Sequence, residues 1–167
     1  SCGNLTVVHE DVLKIDPAVF LKQQKAANYK EVANLPYYIT SPVLRHFLEA
    51  SVKPQIMVVM IQKEVAEQIT AEPGRLSILG VSVQLYGKPA FVFPVPAASF
   101  YPSPKVDSAV VRVDVYPRPA EGVNDPDNFF IVVRAGFKAA RKQLGNSLSL
   151  GLGIPKPEAL ALLQKAG

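Results

Sequence analysis

Apolar and polar residues fall in short blocks along this chain, and the period and length of each block predict its element. Leu5–Val8 reads as a strand and Val19–Ala26 as a helix, and Tyr29–Ala33 is a second strand that stops at Asn34-Leu35-Pro36-Tyr37. Ser41 and Pro42 suit the N-cap and first position of a helix reaching about Ala50. Ile56–Ile61 is wholly apolar and bounded by polar residues, the pattern of a strand buried on both faces. Lys63–Ile69 and Arg75–Gln84 suit helices. Ala90–Val95 and the alternating, Val-rich Ala109–Val115 suit the last two strands. The alternation of strands and helices predicts an α/β fold, in which Asp11 and Asn34 fall just past the C-terminal ends of strands, where open sheets bind their ligands. Prolines concentrate around Pro94–Pro104 and Pro117–Pro126, and Tyr116–Asp127 is the expected boundary between an α/β part, residues 1–117, and a small α-helical part, residues 118–167. In the second part Pro157–Ala166 reads as one helix.

The turn at Asn34-Leu35-Pro36-Tyr37 carries the most specific chemistry. The N6 amine of adenine is a poor nucleophile because its lone pair is delocalised into the ring. The Asn34 amide oxygen and the Leu35 carbonyl are both acceptors; each can take one N6 hydrogen, drawing the nitrogen towards tetrahedral geometry and aiming it at an electrophilic methyl group. Pro36 fixes its own φ and holds Leu35 extended, which gives that carbonyl a direction. Tyr37 can stack on a base taken out of its helix, offsetting an unstacking cost of roughly a few kcal/mol. The same four residues also suit an ordinary Asn-Pro turn with a buried Tyr. A second segment, Ser99–Ala109, is a proline-stiffened loop with two aromatics near its start, able to set Phe100 against the other face of the base. By itself it also suits a plain connection, with Phe100 in the core and Asp107 and Ser108 in a turn.

Together these segments resemble the motifs of the rRNA adenine N6-dimethyltransferases, and within them the small-subunit, kasugamycin-resistance branch. The resemblance runs from Leu5–Leu13 through Gln62–Val65, Gly74–Ser77 and Phe100–Val113 to Phe137–Leu148. It implies a Rossmann-like methyltransferase domain and methyl transfer from S-adenosylmethionine to two adjacent adenosines near the 3′ end of 16S rRNA, each methylated twice. By that likeness Asn34, Leu35, Pro36 and Tyr37 match the catalytic motif, Phe100 matches the aromatic packed on the target base, and Asp11 matches the acidic residue that receives the cofactor's adenine amine, with Asn34 beside it. The chain departs from the pattern at Glu10, where the family usually has Gly. The family's Gly-rich turn and the acidic residue that holds the ribose should both lie upstream of Leu5, so the chain reads as a partial Rossmann-like domain lacking its N-terminal strands. Leu5–Val8 is then expected to be an unprotected edge through which the chain pairs with a second copy.

Charge sharpens the picture in the last third. Residues 118–167 hold seven Lys and Arg against four Asp and Glu, so +3 of the net +4 lies there. Arg134, Lys138, Arg141 and Lys142 are spaced to share one helix face beside an apolar face of Phe130, Val133, Phe137, Ala140 and Leu144. A one-sided basic stripe suits contact with RNA phosphates, and so does Lys105 in the proline loop. Such a stripe also suits plain solvation; the resemblance favours phosphate. Asn146 and Ser147 are read as caps of the following helix. Composition removes other classes. One cysteine, Cys2, excludes an internal disulfide, and His9 and His46 have no ligand-like spacing, so no metal is expected. No signal-peptide pattern opens the chain and no apolar run is long enough to span a bilayer, which points to a cytoplasmic protein. Two other readings stay open: a non-catalytic RNA- or ribosome-binding module, and a resistance-type methyltransferase acting on large-subunit rRNA.

Overall fold

The computed structural model describes residues 3–139 and 142–166. Helix α1 (Pro17–Gln23) starts at an Asp16 cap whose carboxylate accepts from the backbone N–H groups of Ala18 and Val19, with Pro17 in the first turn. The chain continues through β1 (Glu31–Asn34), α2 (Thr40–Leu48), β2 (Ile56–Gln62), α3 (Lys63–Ile69), α4 (Ile78–Tyr86), β3 (Gly87–Val95) and β4 (Ser108–Val115). Three helices follow: α5 (Pro126–Phe137), α6 (Leu144–Leu152) and α7 (Lys156–Ala166). Two compact units result, Ser1–Arg118 and Pro119–Gly167.

In the first unit the four strands form one mixed sheet in the order β1-β2-β4-β3. β1 runs parallel to β2, while β4 is antiparallel to both β2 and β3. Met57, Val59 and Ile61 of β2 lie opposite Val113, Val111 and Ala109 of β4, and all six are fully buried on one face. Apolar residues of the helices complete this core, among them Val43, Leu44 and Leu48 of α2, Ala66 and Ile69 of α3, and Val83 of α4. Burying side chains of this size is worth about 1.5–3 kcal/mol each before entropy is counted.

Several sequence expectations are corrected. Leu5–Val8 is not a strand: among the described residues no backbone pairs with it, Val7 is 84% exposed, and four residues, three of them apolar, do not hold an extended conformation without a hydrogen-bonded neighbour. The edge strand expected there is therefore absent, and the edges of the sheet are β1, where Val32 is 80% exposed, and β3. Ser41 does not cap α2. The helix grows directly out of a 3-10 turn over Tyr37–Ile39 and begins at Thr40, so Pro42 sits within the first turn, where its missing N–H costs nothing. α4 starts at Ile78 rather than Arg75, because the Ser77 hydroxyl accepts from the Gly80 N–H at 3.0 Å and sets the helix start.

The basic stripe also breaks up. α5 ends at Phe137, and Lys138 closes it with a short-range bond from its N–H to the Ala135 carbonyl, so Arg134, Lys138 and Lys142 do not share one helix face. Arg141 lies outside the described residues. The break lets α6 return against α5, burying Ala135 and Leu148 with Ala159 of α7. Neither Asn146 nor Ser147 caps α6: both lie inside it, and the buried Ser147 hydroxyl donates to the Ala139 carbonyl at 3.0 Å. Gly151 makes this return possible, since a Cβ there would overlap the Cα and Cβ of Ala135. Replacing Gly151 by Ala is expected to destabilise the second unit by about 1–3 kcal/mol, read as a lower denaturation midpoint. An unchanged midpoint would contradict this packing.

Candidate functional site

β1 delivers its last residue, Asn34, to the C-terminal end of the sheet, level with Met60 of β2. The ladder runs one residue further, as the Leu35 N–H donates to the Met60 carbonyl at 3.2 Å, and Leu35 itself is buried. Pro36 then turns the chain away from the sheet with φ −56° and ψ 134°, and its carbonyl accepts from the Ile39 N–H at 3.1 Å. The result is a turn fixed at both ends by backbone hydrogen bonds, with Asn34 exposed and Tyr37 half-buried.

The facing wall comes from the loop between β3 and β4. Asp107 closes that loop: its carboxylate accepts from the Ala97 N–H at 2.9 Å, and its carbonyl accepts from the Lys63 N–H at 3.0 Å. Ser103 adds a bond from its hydroxyl to the Ala97 carbonyl at 2.9 Å. Between these ties the loop presents Phe100, half-buried, and Tyr101, fully exposed.

The turn and the loop enclose one open cavity of about 330 Å³, lined by Asn34, Leu35, Pro36, Tyr37, Phe100, Tyr101, Pro102, Pro104 and Ser108. Five residues singled out in the sequence thus meet in one place, although 62 residues separate Tyr37 from Phe100 by their numbers. Phe100 is not a core residue, and Tyr37 lines the cavity rather than filling the interior. Aromatic residues on both walls, with Asn34 and Leu35 beside Tyr37, suit a flat heterocycle bearing an exocyclic amine. Sequence reasoning gave Ser108 no role in the site: it stood at the end of the proline loop, or in the plainer reading in a turn with Asp107. The residue is the first of the alternating strand β4, and its position directly after the proline loop was the available signal.

The other expected residues lie elsewhere. Lys105 lines a separate polar cavity of about 420 Å³ with Gln62, Lys63, Glu64, Glu67, Val106 and Asp107. Asp11 is exposed and outside the base-sized cavity; its carboxylate accepts from the Leu13 N–H at 3.0 Å and caps a short 3-10 turn, Val12–Lys14. No group of three His, Cys, Asp or Glu suited to a metal ion occurs among the described residues. No described helix is long and apolar enough to cross a membrane.

The chain matches the family described as "Ribosomal RNA adenine dimethylase" over residues 1–161. It belongs to the ribosomal RNA adenine dimethylase family. Among curated relatives, "Ribosomal RNA small subunit methyltransferase A" of Dehalococcoides mccartyi is 52% identical over 166 residues, covering 98% of this chain and 56% of that protein. The protein of the same name from Desulfitobacterium hafniense is 49% identical over 138 residues, covering 81% of this chain and 49% of that protein. The chain therefore spans about half the length of the curated relatives it matches. Among solved structures, a dimethyladenosine transferase from Plasmodium falciparum matches with a TM-score of 0.73 at 29% identity, over 88% of this chain and 50% of that one. The 23S rRNA methyltransferase ErmE matches with a TM-score of 0.68 at 28% identity, over 87% of this chain and 56% of that one. The sheet described above is thus part of the Rossmann-like methyltransferase fold of this family, whose members depend on S-adenosylmethionine.

Asp11, which the likeness matches to the methyl donor, stands outside this cavity, with one carboxylate oxygen accepting from a local turn.

Electrostatics next to the site are set by burial. Glu31, three residues before Asn34 on β1, has one carboxylate oxygen buried with no hydrogen-bond partner, and this desolvation pushes its pKa up to about 7. Tyr29 is pushed up to about 12, first by burial and then by the charge of Glu31. In the unfolded chain Glu31 loses its proton near pH 4.5, whereas the folded chain holds it to about pH 7. Folding therefore binds a proton between these values, and the stability Glu31 permits is fully present below pH 4.5 and lost as pH rises through 7. Allowing for solvent screening of a partly exposed group, the loss is about 1–2 kcal/mol. Glu31→Gln is expected to flatten this slope in denaturation curves taken between pH 4 and 8; an unchanged slope would contradict the assignment.

Proposed function

We propose that this chain handles the adenine in S-adenosylmethionine-dependent N6-dimethylation of two adjacent adenosines near the 3′ end of small-subunit (16S) rRNA, a cytoplasmic step of ribosome biogenesis. The observation that carries the proposal is the single cavity uniting Asn34, Leu35, Pro36 and Tyr37 with Phe100. Family membership and the names of the curated relatives support the substrate class.

Within the cavity, the Asn34 amide oxygen and the Leu35 carbonyl accept the two N6 hydrogens. The anchoring of Leu35 to β2 holds that carbonyl in place without reorganisation. Tyr37 and Phe100 stack on the two faces of the base, which fixes the plane in which the nitrogen lone pair must be presented. S-adenosylmethionine supplies the electrophilic methyl group when bound. The amine loses a proton after each transfer, and no carboxylate, imidazole or amine side chain lines the cavity, so that proton passes to solvent. Lys105 and, in the second unit, Arg134, Lys138 and Lys142 contact RNA phosphates as separate cations rather than as one stripe, and Arg141, outside the described residues, is a further candidate cation.

A second reading is that the 167-residue chain binds RNA without transferring methyl groups. The two are separated by measuring transfer of labelled methyl from S-adenosylmethionine to unmethylated small ribosomal subunits, alongside binding of the same subunits. Transfer that falls about a hundredfold in Asn34→Ala supports catalysis at this cavity. Binding without transfer supports the second reading, and transfer unaffected by Asn34→Ala contradicts the assigned role of Asn34.

A further inference from the structure

The two walls of the cavity come from segments far apart in sequence, and one side-chain hydrogen bond joins them. The Tyr37 hydroxyl and the Ser108 hydroxyl are 2.8 Å apart, across 71 residues of chain. Ser108 is 1% exposed and is fixed by the sheet, paired with Gln62 at the first position of β4. It cannot follow a moving tyrosine, so the constraint acts on the ring. Without it, the 3-10 turn over Tyr37–Ile39 would leave the Tyr37 side chain free to change rotamer.

The opposite wall is tied to the same point. Asp107, the residue before Ser108, closes the loop that carries Phe100 through its bonds to Ala97 and Lys63. Asp107 and Ser108 therefore anchor, from adjacent positions, the segment bearing one aromatic wall and the ring forming the other. A base held between two rings needs a gap of fixed width, and stacking weakens as the rings tilt or separate.

We propose that Ser108 is a positioning residue that sets the gap between Tyr37 and Phe100 and so determines how tightly a flat base is held. The proposal rests on the reading of this cavity as an adenine site. Its role is exerted through the tyrosine ring, by the hydroxyl–hydroxyl hydrogen bond.

The test uses the whole chain and a single-stranded RNA carrying 8-vinyladenosine, a fluorescent adenosine that keeps the N6 amine, at one adenine position, whose fluorescence is quenched on stacking. Ser108→Ala is expected to weaken quenching-detected binding about 2- to 10-fold, the range for losing one hydrogen bond. Tyr37→Phe, which keeps the ring and loses the hydroxyl, should weaken it equally. The double variant should be no worse than either single one, and Ser108→Thr should restore binding. In the free chain, labelled-tyrosine NMR should show faster Tyr37 ring flipping in Ser108→Ala. Wild-type binding in Ser108→Ala, losses that multiply in the double variant, or an unchanged ring-flip rate would each overturn the positioning role while leaving the adenine site intact. Absence of quenching by the wild-type chain would overturn the adenine site itself, and the proposal with it.

Discussion

The pairing of β2 with β4 is the constraint on which the rest depends. Its register sets Gln62 opposite Ser108, while the parallel pairing of β1 with β2 sets Asn34 opposite Met60. Because β4 is antiparallel, it begins at the end of the sheet where β1 and β2 finish. The loop entering β4 is thereby brought beside the turn leaving β1. A slip of one residue between β2 and β4 would turn Val111 and Val113 out of the core and carry Ser108 away from Tyr37. The buried ladder of Met57, Val59 and Ile61 against Val113, Val111 and Ala109 makes such a slip costly, and so the apolar core fixes the geometry of a site made largely of exposed or half-buried residues.

The site divides its labour between backbone and side chains. Backbone groups locked into the ladder provide direction, as at Leu35, whose N–H is committed to Met60. Side chains provide surface and selectivity, with rings on two sides and the Asn34 amide at the sheet end. In the proposed function, positioning and acceptor geometry carry the chemistry, in keeping with a reaction whose difficulty lies in presenting a delocalised lone pair. Asp11, matched by likeness to the methyl donor, lies apart from the residues that line the cavity.

Much of this was legible in the sequence because the signals were local. The uniform apolar run at Ile56–Ile61 and the alternation from Ala109 mark strands that the sheet indeed contains, and Lys63–Ile69 is a helix with the expected bounds. The Asn-Leu-Pro-Tyr turn was legible for the same reason, since proline restricts its own φ and its neighbour wherever it stands. Failures arose where non-local pairing decides. Leu5–Val8 has strand-like composition, but a strand exists only with a neighbour. The basic residues after Arg134 have helical spacing, but spacing does not reveal that the backbone turns after Phe137 so that Gly151 can approach Ala135. Ser108 was given no role in the site because its partner, Tyr37, lies 71 residues away.

The central claim is that adenine enters the cavity between the turn at Asn34–Tyr37 and the loop at Phe100–Ser108. The most direct measurement is NMR of the labelled chain titrated with a short single-stranded RNA containing adjacent adenosines, and with the same RNA carrying uridines in their place. The account predicts adenine-dependent shifts of the Asn34 side-chain amide and of the Tyr37 and Phe100 ring signals. Shifts confined to the helices of the second unit, or identical for both RNAs, would contradict it.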